Sequence, residues 1–170
     1  MTSLGNRVRN ALLGGRAGLV ATALMSVVML AGKAAGLTGR LPPAKITDRA
    51  TEQLPPPGRP DRDQRDAMAA IVHFGFGTAA GAVFGLAVAG VRRTWLSAAL
   101  GVVYATAVYA ISYLGWIPAL NLMPAAGEDR PGRSVTMLVA HWVYGATLGA
   151  VLALGEQRHD VAQRARRRFG

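Results

Sequence analysis

The chain has 170 residues, of which 51% are hydrophobic and only 16% charged; it carries a formal net charge of +10 and no cysteine. A soluble domain carries about a quarter charged residues, so the composition speaks against one, and the missing thiols exclude disulfides, cysteine-linked lipids and thiolate metal sites. The basic balance invites a nucleic-acid partner, but basic residues flanking membrane helices explain it more simply, and none is expected.

Four windows are almost free of charge: Ala17–Gly32, Ala67–Val91, Thr94–Pro118 and Ser134–Gly155. About 20 apolar residues, rising ~1.5 Å each, cross a ~30 Å hydrocarbon core. Three windows meet that length. The first is short, but Arg16 and Lys33 at its ends can reach back to the headgroups. The expected fold class is all-α, a polytopic membrane protein with four transmembrane helices in a single domain spanning residues 1–170.

In chain order, residues 1–16 read as a basic lead without strong structure. Arg7, Arg9 and Arg16 before an apolar run also fit a secretory signal. However, GLVATALMS (Gly18–Ser26) echoes GVVYATAVYAIS (Gly101–Ser112), which points to a retained helix running to about Gly36. Residues 37–66 form a polar, Pro-rich loop. In it Pro42 and Pro43 break the chain, Thr47–Leu54 makes a short surface helix, LPPPGRP is extended and DRDQRD is a solvated cluster. The second helix ends at Arg92–Arg93, a turn so short that the second and third helices are expected to be antiparallel neighbours. Trp95 and Trp116 bracket the third helix about 31 Å apart, as an aromatic belt would, and Pro118 ends it. A loop, the fourth helix and a basic tail over 156–170 complete the chain.

An internal repeat underlies this order. HFGFGTAAGAVFGL (His73–Leu86) returns as HWVYGATLGAVLAL (His141–Leu154), with His73 on His141, Gly77 on Gly145 and Gly81 on Gly149. The loop LPPAKITDRA (Leu41–Ala50) aligns with LMPAAGEDRP (Leu122–Pro131), pairing Asp48–Arg49 with Asp129–Arg130. Each half is then helix, Asp-Arg loop, and a helix headed by histidine, covering 17–91 and 94–155. Two helices return the chain to its starting side, so the repeats are parallel, related by an axis along the membrane normal.

Residues four apart share a helix face. His73 therefore heads the stripe Gly77, Gly81, Gly85, and His141 heads Gly145, Gly149. Small-xxx-small stripes allow close helix packing. The histidines lie at equal depth on one side, and an intramembrane ionisable residue is a functional candidate by default. The first reading is an outward-facing polar pocket for a proton, ion or small solute, a site lined by His73, His141, Asp48 and Asp129 and counting Arg49 and Arg130 among its residues. Its bland counterpart gives each histidine a backbone carbonyl and each Asp-Arg pair an exposed ion pair. The alternative is a scaffold protein packing on partners through its glycine stripes. A bis-histidine haem or metal site ranks below both, and no cofactor is expected. No nucleophile motif, phosphate loop or dinucleotide fingerprint occurs, so the protein is read as non-enzymatic.

With the N-terminus inside, ten basic residues fall inside and nine outside. The Arg92–Arg93 turn and the arginine-rich tail decide the orientation, putting both termini in the cytoplasm against anionic lipid. Four helices make a small pathway, so transport would call for a homo-oligomer. The motifs GLVATALMS, LPPAKITDRA, HFGFG, SYLGWIPALNLMP and HWVYG resemble the YagU-like group of small bacterial inner-membrane proteins. That resemblance implies four helices and an inner-membrane location, and brings no reaction or cofactor.

Overall fold

The computed structural model describes residues 4–52, 54–55, 58–124 and 131–169, with backbone alone at 131, 160 and 162–169. Its elements are α1 (Leu4–Ala34), α2 (Pro42–Glu52), α3 (Arg62–Ala87), α4 (Thr94–Tyr109), a π-helical segment (Ala110–Trp116), α5 (Ile117–Ala119) and α6 (Pro131–Phe169). Among the described residues there is no strand. Four stretches are long and apolar enough to cross a membrane: Leu4–Ala34, Arg62–Ala87, Thr94–Ala119 and Gly132–His159. The protein is therefore multi-pass.

Several expectations are corrected at the helix ends. The basic lead is helical from Leu4, because Asn10 and Gly14 are buried against α3 at Gly85. The tail is helical too: α6 has 39 residues, about 58 Å at ~1.5 Å per residue, far more than a ~30 Å core requires. Pro42 and Pro43 open α2 rather than breaking the chain, since a first-turn proline lacks only an N–H that would have no helical partner. Asp61 and Gln64 form a reciprocal capping box that starts α3.

The third span is not one unbroken α-helix. Over Ala110–Trp116 its turns widen, and Ile117 N–H bonds the Ser112 carbonyl five residues back. Pro118 has no N–H to offer Leu114, and its ring crowds that carbonyl, which favours a wider turn just before it.

The glycine stripes decide which helices pair. A β-carbon on Gly81 would meet the Gly14 carbonyl and Gly18 Cα, and one on Gly85 the Asn10 carbonyl, so α3 lies backbone to backbone on α1. A β-carbon on Gly145 would meet the Gly101 carbonyl, and one on Gly149 the Ser97 carbonyl, so α4 lies on α6 in the same way. The two pairs join where α1 packs on α6, around Ala17, Ala21, Met25, Met29, Met137, Leu148 and Leu152. The second and third spans were expected to be close neighbours, but α3 and α4 hardly touch. Their main bridge is Tyr104, whose hydroxyl donates to the Ala80 carbonyl at 2.9 Å and whose ring lies 5.3 Å from that of Phe84. Beyond Tyr104, towards α2, the two helices face each other across a cleft.

Candidate functional site

The cleft has a volume of about 170 Å³. α1 contributes Thr22, Met25 and Met29, and α2 closes one end with Pro42, Pro43, Ile46 and Thr47. The side walls are Val72, His73 and Phe76 of α3, facing Val108, Ser112, Tyr113 and Trp116 of α4 and the π segment; Met137, His141 and Tyr144 of α6 form the back. Apart from the histidines the walls are mostly apolar, which differs from the polar pocket expected.

Both histidines line this cavity. His141 Nδ1 lies 2.7 Å from the Met137 carbonyl one turn back, and its ring meets Tyr109 edge-on at 5.3 Å. Tyr109 is itself stacked on Tyr113 at 5.2 Å, which fixes the wall beside His141. His73 Nε2 is buried and has no hydrogen-bond partner among the described residues. Ser97 Oγ and Ser134 Oγ are also buried and unpartnered, but they lie outside the cleft. Tyr144 OH donates to the Gly77 carbonyl at 2.7 Å, tying α6 to α3 just below the imidazoles.

Of the acidic and basic positions expected beside the histidines, Asp48 and Arg49 lie outside the cleft. Asp48 is held by Arg40 and, at 3.1 Å, by Arg65; Arg40 also bonds Asp66 at 2.9 Å. Arg49 pairs with Glu52 at 3.0 Å and not with Asp48. The reason is helical: α2 turns its apolar side (Pro43, Ile46, Thr47) into the cleft, leaving Asp48 to the arginines around the start of α3. Asp129 and Arg130, their counterparts in the repeat, lie outside the described residues. Among the described residues no cluster of three or more histidine and carboxylate side chains is grouped to hold a metal ion.

Hydrogen bonding from Arg40 holds the Asp48 carboxyl below its ordinary value of 3.8, outweighing the opposing effect of burial. A carboxylate depressed in this way stabilises the fold fully above its unfolded pKa, and the contribution is lost as pH falls through the folded one. The docking of α2 is therefore expected to loosen only in acid, below about pH 4. Amide hydrogen exchange over Ile46–Thr51 checks this: it should quicken in acid for the natural chain and be pH-independent, after correction for intrinsic rates, in Asp48→Asn. Identical acid profiles for the two would remove Asp48 from this role.

Several residues here had no motif to announce them. The tyrosines Tyr104, Tyr109 and Tyr144 stand in apolar helices with no motif around them. Arg133 is another. It is 3% exposed, and its Nε and Nη2 donate to the Thr38 carbonyl at 2.9 and 2.6 Å, clamping the loop after α1 onto the start of α6. A lone arginine at the edge of an apolar window was its only signal.

A family profile matches residues 8–163, a stretch that takes in most of all four apolar helices and both histidines. The chain belongs to this Family of unknown function (DUF6789). No curated protein and no solved structure matches the chain. DUF6789 brings no activity with it, so the reading of the cleft rests on its own residues.

Proposed function

We propose that the cleft is a binding site for a small solute taken from the lipid phase, and that the protein acts by binding, with no chemical step. The observation that carries this reading is the cavity itself, walled by α3 and α4 and lined by both His73 and His141. His141 Nδ1 is engaged with the Met137 carbonyl, which leaves its Nε2 as an acceptor for a polar group of the solute. The apolar walls favour such a solute over a bare or hydrated ion, whose charge is expensive to bury there. The gap between α3 and α4 supplies a lateral path from the bilayer.

The scaffold reading needs glycine stripes turned to lipid. Gly77, Gly81 and Gly85 instead meet α1, and Gly145 and Gly149 meet α4. We further propose that the halves are copies of one unit: Gly14 and Gly18 serve Gly81 and Gly77 as Ser97 and Gly101 serve Gly149 and Gly145. On the motifs given above, the protein is placed with the YagU-like group in a bacterial inner membrane. The end of the bundle carrying Arg7, Arg9, Arg92, Arg93 and Arg158 is assigned to the cytoplasm and to anionic lipid, and the cleft to the outer side.

Toluene, a small apolar probe, tests the site. In nanodiscs it should show saturable binding by ligand-observed NMR, and Val108→Trp, which fills the cleft from one wall, should abolish that binding. Uptake that never saturates, or that is unchanged in Val108→Trp, would mean the cleft holds nothing.

A further inference from the structure

We infer that the occupant of the cleft is a single six-membered ring carrying a hydroxyl group, the head of a phenol-type molecule. This rests on the reading of the cleft as a solute site and narrows it to one chemical class.

Size sets the first limit. A dry apolar cavity of about 150 Å³ binds benzene, so a cleft of about 170 Å³ takes one such ring with a small substituent. Phe76, Tyr113, Trp116 and Tyr144 line it, and aromatic side chains prefer offset-stacked or edge-on contacts with another ring.

The imidazoles select the polar group. A carbonyl only accepts, so His141 Nδ1, 2.7 Å from the Met137 carbonyl, must carry the hydrogen. The neutral ring then keeps Nε2 as a bare acceptor. His73 Nε2 also lacks a partner. Of the five wall hydroxyls, those of Thr22, Thr47 and Tyr144 already donate to the carbonyls of Gly18, Pro43 and Gly77, and Ser112 and Tyr113 carry the other two. The occupant therefore needs a group that donates to His141 Nε2. A ketone or ether cannot donate, and a carboxylate or ammonium brings a charge into apolar walls. A hydroxyl both donates and accepts.

The test compares phenol with toluene, its near-isostere without the hydroxyl, on the full chain in nanodiscs. Phenol should bind about tenfold more tightly relative to its lipid partitioning, the worth of one good hydrogen bond. In His141→Leu that advantage should fall to about one, while toluene still binds and so reports an intact cleft. If His141→Leu does not fold, His141→Phe, which keeps an aromatic ring and removes both nitrogens, carries the same comparison. Equal affinities in the natural chain would overturn the hydroxyl assignment and leave the cleft reading standing. Binding of both probes that survives Val108→Trp would overturn the two together. A tailed probe, 4-octylphenol, separates the sources: binding at least as tight as phenol supports a lipid-phase molecule whose tail leaves between α3 and α4. Loss of binding on adding the tail would overturn the lipid source.

Discussion

Gly149→Leu and Gly81→Leu are each expected to destroy the assembled bundle, whereas Leu86→Ala is expected to be nearly silent. A β-carbon on Gly149 would run into the Ser97 carbonyl and Ala98 Cα, and one on Gly81 into the Gly14 carbonyl and Gly18 Cα. These are backbone atoms of the facing helix, so no side chain can swing aside to relieve the overlap. Relief requires α6 to move off α4, or α3 off α1, along the whole stripe. Overpacking against side chains costs about 1–3 kcal/mol, and a backbone clash that separates two helices should exceed it. Leu86, by contrast, is 47% exposed, and its truncation removes little packing. Thermal stability and monodispersity in detergent check the contrast. If Gly149→Leu matched Leu86→Ala in both measurements, the close α4–α6 approach described above would be wrong.

Arg133→Met should be the next most damaging single change. The guanidinium is buried and donates twice to the Thr38 carbonyl, and Thr38 itself is fully buried. Hydrogen bonds from a charged group contribute about 1.5–3 kcal/mol, and removing the donor also leaves a buried carbonyl unsatisfied. Methionine keeps much of the side-chain length, so the loss reports the hydrogen bonds more than the packing. Arg133→Lys should recover less than half, because a point charge does not reproduce the planar fork. The readouts are the thermal midpoint and amide exchange over Leu37–Leu41, the loop that Arg133 clamps. A full rescue by lysine would reduce the role of Arg133 to its charge alone.

Much of this arrangement was legible in the residues. Windows almost free of charge give the same four apolar spans, because a bilayer demands a minimum length of apolar helix whatever the helix packs against. The four-residue spacing of Gly77, Gly81 and Gly85, and of Gly145 and Gly149, marked faces made for close approach, since a stripe of absent side chains is a local property of the helix. His73 and His141 stood out because an imidazole in an apolar run is conspicuous.

Other features depended on which helix lies opposite, and spacing along one chain does not carry that information. A short turn joins α3 to α4, yet their stripes are satisfied by α1 and α6, so the two separate and a cleft opens between them. Asp48 was expected beside the histidines because its loop repeats in sequence. The helical rotation of α2 sends it to Arg40 and Arg65 instead. The basic lead became helix because α3 extends far enough to pack its first turns. Arg133 and Thr38, 95 positions apart, meet only once α1 and α6 are side by side. The sequence by itself determined how many spans there are and which faces are small, since both are set by single helices in an apolar medium. Only the tertiary structure decided which faces meet, where the polar groups find partners and where room is left over, because those depend on several helices packed together.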